Sequence, residues 1–167
     1  LGDVYKRQIL FFGIFVLMSS CTVTSMPAFY DKYSKQGTLV SVPAIAVKAL
    51  GKLSNNQEFT NYLKSSKIFV MTEVSDRKMN RVMRDLKSSV QGERYQQPIH
   101  LKKGSKTIEV ALQENQNRVK GMILGISGFN TVLVIQSKVD IPKETIHNAL
   151  NEINDDFIDD LMDLLVN

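Results

Sequence analysis

An α+β domain is the fold the sequence predicts, with a largely antiparallel sheet of five to six strands, helices packed on one face and a long C-terminal amphipathic helix. Three observations predict it. Met79, Val82, Met83, Leu86 and Val90 recur at helical spacing. From Tyr95 to Gln136 the apolar period switches to two, in segments separated by short turns. Beyond Pro142, Ile146, Ala149, Leu150, Ile153, Phe157, Leu161 and Leu164 return to helical spacing for about 34 Å of helix.

The elements follow in order along the chain. Pro27 suits the first turn of a helix, Phe29 and Tyr33 fall on one face of it, and Gly37 is a natural stop. Thr38–Val42 is β-rich and Pro43 ends it. Ala46, Ala49, Leu50 and Leu53 give helical spacing, and a second short helix carries Phe59, Tyr62 and Leu63. Lys67–Val74 is the next strand, and Ser75 or Asp76 caps the amphipathic helix that Gly92 closes. Ile99 and Leu101 alternate with His100 and Lys102 before a tight turn at Gly104-Ser105. Ile108, Val110 and Leu112 mark one face of a second strand, and Glu114–Asn117 turns the chain into a third, Arg118–Ile126. Ser127-Gly128 leads to a fourth, Thr131–Gln136, whose apolar run suggests a central position. Short connections make these strands a meander. Pro142 begins the last helix.

The N-terminus carries a different signal. Ile9 to Met18 reads ILFFGIFVLM, about half the length needed to span a bilayer and suited to the apolar region of a signal peptide. Lys6 and Arg7 supply positive charge ahead of it. The opening LGDVYKRQ lacks Met and reads like translated adapter sequence, so those two charges are expected to mimic a true basic start. Leu17-Met18-Ser19-Ser20-Cys21 resembles the lipobox of bacterial lipoproteins, in which the Cys takes up lipid and becomes the new N-terminus. Thr22, in place of an Asp, favours the outer membrane in the sorting scheme that the lipobox implies. The expected division is a signal peptide over 1–20, a tether over 21–26 and one domain over 27–167.

Charge is unevenly spread. From Cys21 to Lys143 there are 19 Lys or Arg against 9 Asp or Glu, and from Glu144 onward 7 acids with no Lys or Arg. Arg77, Lys78, Arg81, Arg84 and Lys87 share the polar face of one helix; Lys102, Lys103 and Lys106 crowd a hairpin tip. Asp155, Asp156, Asp159, Asp160 and Asp163 share a side of the last helix. These three clusters are expected to be contact surfaces, the lysines also guarding a sheet edge from mispairing. An export signal makes nucleic acid an unsuitable partner despite the basic body.

No constellation in the sequence carries chemistry. His100 and His147 are the only histidines; Glu144 and His147 share a helical face but offer only two ligands. Gly125-Ile126-Ser127-Gly128 lacks the five-residue nucleophile-elbow pattern and its strand-turn-helix setting. The acids of the last helix lack the glycine-containing loop that calcium needs. A lone Cys forms no internal disulfide. Catalytic residues, metals and cofactors are therefore not expected.

The stretches FYDKYSKQGTLVSVPAIAVKAL, KIFVMTEVSDRKMNRVMRDLKS and RVKGMILGISGFNTVLVIQSKVDIPKETIHNAL resemble the domain-of-unknown-function family 4252, short lipoproteins of Bacteroidota-type bacteria. The chain departs from it at Gln136-Ser137-Lys138, where a glycine is expected, and in a longer acidic extension after Asn154. The resemblance implies an exported lipoprotein and transfers no catalytic residues. The expected function is that of a lipid-anchored, periplasm-facing protein of the outer membrane, a non-catalytic binding or regulatory module of the envelope. Its partners would be the membrane, through lipid on Cys21, and an envelope protein or anionic envelope component. Two alternatives stay open: an envelope hydrolase whose site assembles only in three dimensions, and a structural lipoprotein whose C-terminal helix packs on a partner or a membrane.

Overall fold

The structure, a computed structural model, describes residues 23–44, 46, 62–96, 99–103 and 106–146. Helix α1 (Met26–Tyr33) starts where the hydroxyl of Ser25 accepts the Ala28 N–H at 3.3 Å and Pro27 occupies the first turn. It buries Met26, Phe29, Tyr30 and Tyr33. Strand β1 (Thr38–Val42) leads by way of Pro43 toward β2 (Leu63–Met71), and β2 leads into helix α2 (Asp76–Gly92). Four strands then follow in succession: β3 (Ile99–Lys103), β4 (Lys106–Asn115), β5 (Arg118–Gly128) and β6 (Thr131–Pro142).

The strands form one six-stranded sheet in the order β1-β2-β6-β5-β4-β3, and every pairing is antiparallel. The last four strands are the meander that the short turns predict. The α+β class and the mostly antiparallel sheet thus stand. Several boundaries differ. β2 begins at Leu63, so Leu63 opens a strand rather than continuing a helix, while Tyr62 just ahead of it is helical. β6 runs on to Pro142, which closes that strand; the helical turn at the chain's far end begins at Lys143. The remainder of the expected long helix, with Asp155, Asp156, Asp159, Asp160 and Asp163, lies outside the described residues, as do Cys21 and His147.

Period-two alternation sorts the strand residues onto two faces. Phe69, Met71, Ala111, Ile123, Val132 and Val134 meet the buried stripes of α1 and α2. Phe29 is the hub of that layer, set edge-on to Phe69 at 5.8 Å between ring centroids. The opposite face is also apolar: Ile108, Val110, Leu112, Ile126, Leu133 and Ile141 are buried there, with Tyr62, Leu63 and Ile146 packed among them. The middle strands are buried on both faces and read as near-continuous apolar runs for that reason.

The helix layer is held by specific contacts. Lys32 and Tyr33 of α1 both reach the Asp85 carboxylate of α2, at 2.6 and 2.7 Å. Burial pushes that carboxyl up, but the two hydrogen bonds and the charges of Lys32 and Arg84 overcome it and leave it below its usual range. At the other end of α2 a Cβ on Gly92 would lie 1.9 Å from the carbonyl oxygen of Thr24. Only glycine permits that approach. The Met26 N–H donates to Glu93 at 2.7 Å, so the chain enters the domain beside the C-terminal end of α2.

Candidate functional site

The sheet registers gather several connections at one end of the molecule. Thr107 pairs with Ser127, Gly128 with Thr131, and Met71 with Val132. The end of β3, the start of β4, the β5–β6 turn and the start of α2 therefore share an end. The chain's entry at Gly92 lies at the opposite end of α2, and 17 residues of helix separate the two by about 25 Å.

Two neighbouring depressions open at this far end. The first, of about 260 Å³, is lined by Lys32, Tyr33, Gln36, Ser75, Arg77, Lys78 and Arg81. The second, of about 590 Å³, is lined by residues Thr72, Glu73, Val74, Ser75, Phe129, Asn130 and Thr131. Ser75 borders both and is the N-cap residue of α2, but its side chain makes no capping hydrogen bond. The first cleft has a strongly positive wall. Arg77 and Arg81 are exposed, Lys78 is half-buried, and none of the three has an ion-pair partner among the described residues. Lys32 contributes a fourth positive charge, already shared with Asp85.

The helix carries this charge at a cost. Arg77 and Arg81 stand four residues apart and Arg81 and Arg84 three apart, spacings at which like charges destabilise a helix by roughly 0.2–0.5 kcal/mol per pair. Asp85, an acid of the same helix, is engaged by Lys32 and Tyr33. Burial, and then the bond to Asp85, hold the Tyr33 phenol well above its usual pKa, so it stays a neutral donor.

The second depression is edged by unusual backbone. Phe129 and Asn130 form a two-residue turn with φ of 47° and 58°, and Glu73 has φ 57°. Asn tolerates the left-handed region; a bulky aromatic there is strained by about 1–3 kcal/mol. Phe129 is nevertheless 64 % exposed, with Lys106 Nζ 5.0 Å from its ring centroid. Ser127-Gly128, expected to lead into β6, is not the turn; Phe129-Asn130 is. The signal was Asn130, a residue suited to positive φ just ahead of the apolar run of β6. Gly128 ends β5 instead, where a Cβ would meet Lys106 Cγ at 3.0 Å.

Arg84 and Lys87 are exposed farther along α2 and line neither cleft, although Arg84 stands near enough to Tyr33 of the first to act on its phenol. Lys102 is exposed on β3, the backbone of Lys103 ends that strand, and Lys106 begins β4. Lys106 therefore joins the Phe129 turn.

His100 is on the surface as its strand position suggests, but its partner was not foreseen. Its Nδ1 lies 3.2 Å from a carboxylate oxygen of Glu109, whose side chain is only 7 % exposed. Burial pushes the Glu109 carboxyl above its usual range, and His100 and Lys87 offset this only in part. Position 125 on β5, opposite Glu109, is a glycine that lets the Leu86 and Met83 side chains of α2 settle over the sheet. Neither His100 nor Glu109 borders either depression.

Among the described residues no three His, Cys, Asp or Glu side chains gather as a metal site, and no helix is long and apolar enough to cross a membrane. No protein-family model, curated protein or solved structure matches the chain.

Proposed function

We propose that the protein is an exported, lipid-anchored component of the cell envelope, facing the periplasm from the outer membrane, and that it works as a non-catalytic binding module. Its contact surface is the end of the domain far from the anchor, and its partner there is anionic. The observation that carries this reading is a single cleft lined by Arg77, Lys78 and Arg81 without ion-pair partners among the described residues. Unpaired cations on a concave wall raise the local concentration of anions and speed encounter. Phe129 adds exposed apolar surface in the neighbouring depression, which suits a partner carrying both charge and apolar groups.

Export and anchoring rest on the LMSSC stretch and the apolar run before it, and the resemblance to family 4252 belongs to the same proposal. Cys21 precedes Val23 by two residues, so at most about 7 Å of extended chain separates them. Val23 is buried and Thr24 lies against Gly92, at the end opposite the cationic cleft, and this supports an anchor attached at that end. That arrangement turns the cleft away from the anchoring bilayer.

Titration with short inorganic polyphosphate and with a poly-glutamate peptide tests the proposal and separates phosphate from carboxylate recognition. At least one probe should bind, with an affinity that falls as salt shortens the screening length to about 8 Å near physiological ionic strength. Reversing Arg77, Lys78 and Arg81 together to Glu should abolish that binding and leave the melting temperature nearly unchanged. Binding that survives the reversal would remove this cleft as the contact surface, and a large loss of stability would make the charges structural.

A further inference from the structure

The geometry points to the outer edge of β1 as the place where two copies of the chain join, antiparallel, into one continuous sheet. The inference does not depend on the cationic cleft. Among the described residues β1 and β3 are the two edge strands of the sheet, and an edge strand presents a row of backbone N–H and C=O groups with no partner inside the sheet. Such edges normally carry charge that blocks pairing with another chain. β3 does, with His100, Lys102 and Lys103 in five residues. β1, Thr-Leu-Val-Ser-Val, has no charged residue and no proline.

The side chains of β1 favour the same conclusion. Leu39 is 40 % exposed and Val40 is 49 % exposed, two of the few large apolar residues left uncovered among the described residues. Leu39 lies opposite Phe69, on the helix-bearing face, and Val40 opposite Ile68, on the other. Both cores thus run out to this edge unfinished, and a strand laid against β1 would extend both.

Charge and register select a second copy as that strand. With a two-fold axis at Val40, an antiparallel copy sets Val40 against Val40, Leu39 against Ser41 and Thr38 against Val42. No like charges meet. Lys67, opposite Ser41 on β2, would stand three strand spacings (about 14 Å) from its counterpart, beyond the screening length. One such pairing removes the open β1 edge of both molecules at once, and Gly37 and Pro43 delimit it to five residues.

Cysteine cross-linking in the full chain, in membranes of the expressing cell, tests this pairing against the guarded edge. Directly opposed residues have Cα atoms about 4.5–5.5 Å apart, within reach of a disulfide; diagonal neighbours stand about 7–8 Å apart, beyond it. Val40→Cys should give a disulfide-linked dimer well above the background of the unsubstituted chain, which carries Cys21. Leu39→Cys alone and Ile99→Cys on β3 should stay at background. In detergent solution, sedimentation should find a reversible dimer of the parent, weakened about tenfold or more by Val40→Lys with no change in the melting temperature of the dilute monomer. Cross-linking of Val40→Cys no stronger than that of Ile99→Cys would overturn the inference, as would a parent monomeric at high concentration or a dimer indifferent to Val40→Lys.

Discussion

Burying Glu109 beneath α2 makes stability depend on pH with a definite sign. Because its folded-state pKa is raised, the folded protein holds that proton more tightly than the unfolded chain does. The contribution therefore favours folding below the ordinary Glu range and is lost as pH rises through the folded value. Glu109→Gln removes the titration. Urea melts of parent and variant from about pH 4 to about pH 7 should show the variant gaining relative to the parent as pH rises. The difference matters, because the lowered carboxyls of Asp85 and Asp140 give both proteins the opposite trend, losing stability as pH falls. A difference of the reverse sign would mean that His100 and Lys87 outweigh burial. Gly125 tests the same interface by size. A Cβ there would approach Leu86 Cδ2 to 2.5 Å and Met83 Cε to 3.2 Å, so Gly125→Ala should cost about 1–3 kcal/mol by overpacking. In a Leu86→Ala background the added methyl should cost much less, a coupling that a double-mutant cycle reads directly.

At the scale of elements, α2 was legible almost residue for residue, because its apolar stripe and basic face repeat at one period over 17 residues. The strands were legible as alternating segments, but their ends were not. β2 takes in Lys64, Ser65 and Ser66, and β6 runs through Ser137, Lys138 and Asp140. In both, pairing with a neighbour (Ser66 to Ser137, Ser65 to Lys138) holds residues that composition assigns to loops. Cross-strand partners such as Glu109 for His100 depend on register, which periodicity does not supply. The cationic cleft was half visible: Arg77, Lys78 and Arg81 stood out as a helix face, whereas Lys32 and Tyr33 join them only through the packing of α1 on α2. Gly92 is the element-scale test of how the chain enters the domain. Its added methyl would meet backbone, not a movable side-chain end, so Gly92→Ala should displace residues 23–25 and cost at least as much as Gly125→Ala. Hydrogen exchange should then rise at the Met26 amide, which now donates to Glu93.

For the molecule as a whole, the central relation is between its two ends: a chain that enters beside Gly92 and a cationic, aromatic end about 25 Å away along α2. Lipid on Cys21 would turn that relation into an orientation, with the cleft reaching into the periplasm. A soluble, unanchored protein would give the same cleft no preferred direction. Lipidation by two or three acyl chains gives stable membrane attachment, since each buried methylene contributes about 0.8 kcal/mol. The most direct measurement is therefore incorporation of labelled fatty acid during expression in a Gram-negative host, with fractionation of the envelope. The parent chain should carry the label and sediment with the outer membrane, and Cys21→Ser should carry none. Label retained by the Cys21→Ser variant, or an unlabelled parent recovered entirely in the soluble fraction, would contradict the anchored orientation.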